Sequence, residues 1–223
     1  KRQAAIVNPN QVGCHFPSKH LAGVGVIFYV MLRLRAELRQ RGVYQQNTQP
    51  PLSDLLDLVA LGTVADLVKL DKNNRIMVEY GLNIIRTGKA CCGIRALFQI
   101  SGRDTLFAST QDLAFTLGPR INAAGRLEDI SLGIRCLLSE KMPQALILAK
   151  ELNEINSQRK EIQQEIKFSA ESLLDQIDIA HRYTICLFDA SWHHGVIGVV
   201  ASKIKEAYHR PVIVFAPDQQ GML

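Results

Sequence analysis

Apolar residues recur at two different periods along this chain, and the change of period divides it. An apolar run from Leu21, with Gly23 and Gly25 at its start, predicts a helix to about Arg39. Its first turns are nearly all apolar and its end is basic, which places the start in the core and the end at the surface. Residues 51–70 read as helical, with Leu55, Leu58 and Val59 on one face and Gly62 interrupting the run. Asn74 to Thr87 predicts an amphipathic helix closed by Gly88, with Asp71 as its cap. GIRALFQI is a short helix ending at Ser101–Gly102, and residues 110–117 form a helix or turn. LEDISLGIRCLLSE reads as a helix packed through Ile130, Ile134, Leu137 and Leu138.

From Pro143 to Ile177 there is no glycine, and Leu148, Leu152, Ile155, Ile162 and Ile166 recur at three- and four-residue spacing. This predicts a helix of about 30 residues, roughly 45 Å long. A helix of that length joins two bodies more often than it sits in one core, so the domain junction is placed here. Beyond His181 the period shortens. Residues 183–188 and 211–216 read as strands enclosing a turn and a helix, a β-α-β unit with parallel pairing. The expected organisation is an α/β first domain over 1–142, a connecting helix over 143–178 and a smaller α/β domain over 179–223. Ala4 to Val7 reads as the end of a strand stopped at NPN, and the chain closes at GML just after a strand. The sequence is therefore expected to begin and end inside larger folds. Apolar surface is expected near Ile6, Val7 and residues 24–30, and with it self-association.

Composition narrows the class. Hydrophobic content of 47% over 223 residues supports a packed core and excludes a disordered chain. No apolar run reaches the length of a membrane span. Five cysteines without a CxxC pair fit reduced thiols in a cytoplasmic protein. The net charge of +5 suits a polyanionic partner, whereas 6% aromatic residues give little sign of a base-stacking platform.

Three stretches carry candidate chemistry. GPRINAAGR, residues 118–126, puts Arg120, Asn122 and Arg126 beside two glycines and Pro119. Arginine forks fit phosphate oxygens bidentately, and the alternative is a helix–turn–helix corner with surface arginines. Asp66, after GTVA in an apolar context, reads as a buried carboxylate that needs a metal, a partner or a hydrogen bond, or else as a cap. The turn holding Trp192, His193, His194, Gly195 and Gly198 leads from strand to helix, where backbone amides favour an anion. His15 and Lys19 are ligand candidates by type, though a lone loop histidine is more often solvated. Gly23 and Gly25 read as a close-packing device or an anion cradle, and Arg159, Lys160 and Lys167 as a solvated helix face or a polyanion track.

The segments NPNQVGCHFPSKHLAGVGV, LGTVADLVKLDKNNR, LGPRINAAGRLED and WHHGVIGVVASKIKE, in that order, resemble the RecJ family of bacterial single-strand-specific exonucleases in the DHH phosphoesterase superfamily. The resemblance covers essentially the whole chain. It implies the C-terminal part of a parallel-sheet DHH domain, joined by a long helix to the start of a DHH-associated domain. It also implies hydrolysis of phosphodiesters from 5′ ends of single-stranded DNA, with two Mn²⁺ or Mg²⁺ ions between the domains. Asp66 matches the family's later metal-binding aspartate. Arg120, Asn122 and Arg126 match its substrate-phosphate and site-organising segment. His193 and Gly195 match the histidine and glycine of its Trp-His-x-Gly turn, and His194 falls at a variable position. No Asp-His-His triplet occurs in the sequence, so the rest of the metal centre is expected outside it and the chain alone is expected to be inactive. Single-strand-binding protein and a recombination helicase are implied partners, and the full-length protein is expected to be monomeric. Two rival readings are another DHH phosphodiesterase acting on oligoribonucleotides or small nucleotides, and a polyanion-binding piece without chemistry.

Overall fold

The computed structural model describes residues 5–44, 48–177, 179 and 181–217. Up to Ile177 the described residues are helical, with no strand. α1 (Gly23–Gln40) is followed by a 3₁₀ turn (Leu52–Leu55) that runs into α2 (Leu56–Ala65). Next come α3 (Lys72–Arg86), α4 (Cys92–Ile100), a 3₁₀ turn (Thr105–Phe107) and a π-helical turn (Asp112–Leu117). α5 (Gly118–Leu127), α6 (Ser131–Leu137) and α7 (Met142–Leu174) complete this part. The expected strand ending at Val7 is not found over residues 5–7, and Ala4 lies outside the described residues.

α2 is the apolar axis of the helical body. Seven of its ten residues are buried, and α3 packs across it at backbone distance. Gly81 makes that crossing possible, since a Cβ there would lie 2.2 Å from the Leu56 carbonyl oxygen. Asp71 caps α3 as predicted, its carboxylate accepting from the Asn74 amide. α4 packs on α7 and α6, and Phe98, Ile94, Leu97, Leu113, Leu117 and Leu152 fill the main core.

The buried face of α6 differs from the sequence expectation. Leu132, Gly133 and Cys136 turn inward, while Ile130, Ile134 and Leu138 are exposed. The close approach of α4 explains the rotation, because Gly93 seats against the Cys136 carbonyl. α1 buries Gly25 and Phe28, while Val26, Tyr29, Val30 and Leu34 line a groove of about 680 Å³ with Ile6 and Val7. The apolar surface expected there is present.

α7 has 33 residues, which makes it about 50 Å long. Its first half packs in the helical body, and its second half packs in a separate cluster around Ile166, Ala170 and Leu174. That second cluster is completed by β1 (Ile185–Phe188), α8 (His194–Tyr208) and β2 (Val212–Phe215). β1 and β2 pair in parallel, Ile185 opposite Val212 and Phe188 opposite Phe215, as the β-α-β pattern predicts. Leu127 at the end of α5 touches both clusters.

Candidate nucleic-acid phosphate site

GPRINAAGR is a helix. α5 continues directly from the π-helical turn, and Pro119, which has no N–H to donate, lies where that wider turn passes into α-helix, while Gly125 is carried within the helix. Helical periodicity then separates its polar residues. Ala123 and Ala124 are buried, and Asn122 and Arg126, four residues apart, share the exposed side. Arg120 is half-buried and held at two points. Its Nε donates to Asn153 Oδ1 on α7 at 3.0 Å, and its Nη1 donates to the Thr116 carbonyl at 2.6 Å. Burial lowers the pKa of this guanidinium, because charge is costly away from water.

Asp66 caps the C-terminal end of α2, and the carboxylate expected to be buried is exposed. The helix stops beneath it and Leu67 follows at φ 54°, so the side chain leaves the apolar run at the helix end. The buried carboxylate is instead Asp57, 1% exposed, which accepts from the amides of Cys91 at 2.8 Å and Leu58 at 2.6 Å. Burial, the largest influence, raises its pKa against the lowering pull of those bonds. Nothing in the run DLLDLVAL distinguished Asp57 beyond an acid at a core-facing spacing.

Gly118 packs on Ala65, with a Cβ there 3.2 Å from that of Ala65, so the end of α2 meets the start of α5. The other end of α5 meets α8. Gly195 lies so close to Arg126 that a Cβ would come 2.1 Å from the Arg126 carbonyl oxygen. In return, Arg126 Nη1 reaches the Gly195 carbonyl at 3.5 Å. His193 caps α8, its Nδ1 accepting from the Gly195 amide at 3.1 Å. With Nδ1 engaged as acceptor, Nε2 carries the proton of the neutral ring and is free to donate. His194 stacks on His193 at 4.8 Å. Trp192 is buried and donates to Ser169 on α7, which fixes the turn against the long helix.

The predicted residues therefore fall into two groups at opposite ends of α5. Asp66 stands at the first end, and Arg126, Gly195 and His193 meet at the second, roughly 12 Å further along the helix. Arg120 lies near the first end, braced by α7. Asn153 was not singled out from the sequence, where it looks like one of several amides on a charged helix.

Other residues prove structural. Lys19 donates to the Pro9 and Cys14 carbonyls, each at 2.6 Å, and braces its loop, while His15 is exposed. Lys167 pairs with Glu171 on its own helix. The Cys91 thiol is pushed up to about 12, and that of Cys136 to about 11, both chiefly by burial, so neither is poised as a nucleophile. Among the described residues no group of three or more His, Cys, Asp or Glu converges as a metal site. Asp66 alone does not hold a pair of ions, so the residues present do not fit a complete dinuclear centre.

No family model matches the chain. It is 50% identical over 224 residues to the single-stranded-DNA-specific exonuclease RecJ of Salmonella typhimurium, and 48% identical to that of Escherichia coli K12. Each match takes in 98% of this chain and 39% of the relative, so the chain spans about two-fifths of their length. The RecJ of Bacillus subtilis is 36% identical over 216 residues, covering 97% of the chain and 26% of the relative. A crystal structure of RecJ bound to manganese aligns with TM-score 0.77 at 33% identity, over 92% of this chain and 49% of that one. RecJ of Thermus thermophilus in complex with Mg²⁺ aligns with TM-score 0.74 at 34% identity, over 91% of this chain and 30% of that one.

Proposed function

We propose, from a similarity to RecJ exonucleases that extends over 98% of the chain, that this chain forms part of a 5′→3′ single-stranded-DNA exonuclease. The observation that carries the reading is the junction of α5 with α8. There Arg126, the His193 cap and the start of a helix come together with no carboxylate paired to the arginine among the described residues. Such a set of donors suits a phosphate oxygen and carries no base readout, as a backbone-directed nuclease requires.

In this reading residues 1–142 belong to the catalytic domain, α7 is the connector, and residues 179–223 begin the associated domain. Arg126, His193 and Gly195 hold a backbone phosphate. Arg120, fixed by Asn153 and Thr116, turns its remaining donors toward the strand, and Asn122 organises the exposed side of α5. Asp66 supplies one carboxylate toward Mn²⁺ or Mg²⁺, the rest of the centre coming from outside the described residues. The chain by itself binds single-stranded DNA without cutting it. Work in recombination and repair, in the cytoplasm, by a monomeric full-length protein that meets single-strand-binding protein and a helicase, completes the proposal.

Grafting this segment into the Escherichia coli relative in place of its counterpart tests it. The chimera, given Mn²⁺, is expected to release mononucleotides from the 5′ end of single-stranded DNA, and Asp66→Ala is expected to stop it. A folded chimera that hydrolyses only dinucleotides, or one indifferent to Asp66→Ala, overturns the assignment.

A further inference from the structure

Arg159, in the middle of α7, is a guanidinium with no carboxylate paired to it among the described residues. Its Nη1 donates to Gln163 Oε1 at 2.9 Å, while its Nε is buried with no hydrogen-bond partner among the described residues. A partly buried guanidinium ordinarily has an acid beside it, because its desolvation is otherwise uncompensated. None of the ion pairs among the described residues includes Arg159, Arg126 or Arg120. Arg159 faces a like charge instead. Burial first, and the nearby Arg126 second, disfavour its cation. α5 packs on both α7 and α8, and an anion between Arg126 and Arg159 at that junction would offset their like charges and fill the open donors.

We infer that Arg159 joins Arg126 in a two-arginine clamp for one backbone phosphate of a single strand, which makes the middle of α7 part of the binding surface. This rests on the proposed role of Arg126. It takes up the polyanion-track reading of Arg159 on the connecting helix and assigns it a partner in Arg126. The competing arrangement is internal. Asn156, one turn earlier and 2% exposed, has an Oδ1 that also lacks a partner, and a rotation of Arg159 toward it would satisfy both atoms without any ligand.

The 223-residue chain, free of metal, separates the two. Its melting temperature is followed in inorganic phosphate against chloride at equal ionic strength, and its affinity for a 5′-phosphorylated oligothymidylate is measured by anisotropy. The parent is expected to gain stability with phosphate. Arg159→Gln should stay folded in chloride, lose most of the phosphate-dependent gain, and bind the oligonucleotide about ten-fold more weakly. Arg159→Lys, which keeps the charge and stem but loses the fork, should recover only part of the affinity. The double variant Arg126→Gln/Arg159→Gln should lose little more than the worse single variant, as expected of two groups on one phosphate. If Arg126→Gln weakens binding and Arg159→Gln does not, the clamp is wrong and the role of Arg126 stands. If neither does, both are wrong. Should Arg159→Gln unfold, an unchanged affinity in the folded Arg159→Lys protein overturns the clamp.

Discussion

At the scale of single residues, the end of α2 makes the sharpest demands. Leu67 is 75% exposed and sits at φ 54°, in the left-handed region where a glycine usually ends a helix. A leucine there carries about 1 kcal/mol of strain. Leu67→Gly is therefore expected to raise the melting temperature by a few degrees, and an unchanged or lower value in a thermal scan would count against strain beside Asp66. Asp57 gives a pH signature. Its folded-state pKa lies above the ordinary 3.8, so its contribution to stability is fully present below that value and is lost as pH rises through the raised one. Denaturant titrations from about pH 4 to about pH 7 should show this fall, and Asp57→Asn should flatten it. Asp57→Ala leaves two amides without acceptors and should cost about 1–3 kcal/mol for each that stays dry. The sequence could not rank Asp57 above Asp66. Both are acids in apolar runs, and only the stop of α2 at Ala65 puts one inside and the other in water.

At the scale of elements, contact between α5 and α8 is set by glycine. Gly195→Ala would place a methyl 2.1 Å from the Arg126 carbonyl oxygen, forcing the two helices apart. Overpacking of that kind costs about 1–3 kcal/mol, and single-strand affinity should fall with it. An alanine variant as stable and as tight-binding as the parent would remove the junction from the site. Element type was legible wherever one period dominated: α3, α7 and the parallel β1–β2 pair follow the pattern closely. GPRINAAGR was harder, since glycine and proline are also turn residues. The burial of Ala123 and Ala124 against neighbouring helices is what keeps those nine residues helical. The inward face of α6 was misread for a related reason. Its apolar residues surround the helix, and Gly93 on α4 decides which side faces the core.

At the scale of the whole molecule, α7 packs in two cores, and the proposed phosphate site lies at their seam. Asp66 and the Arg126–His193 donors stand at opposite ends of α5, with Arg120 near the Asp66 end, so loss of Asp66 and loss of Arg126 should be separable in chemistry and affinity. The groove along α1, lined by Ile6, Val7, Val26 and Val30, predicts concentration-dependent self-association, visible as a rising mass in light scattering. The order of the motifs was readable from sequence, whereas the pairing of Arg120 with Asn153 and of Arg126 with Gly195 needed the packed helices. The most direct test compares the metal-free affinity of the chain for single-stranded DNA in two variants. Asp66→Ala is expected to bind like the parent, and Arg126→Ala about ten-fold more weakly, the loss of one charge-assisted contact. Equal affinity in Arg126→Ala, or a loss confined to Asp66→Ala, would contradict a phosphate site at the α5–α8 junction.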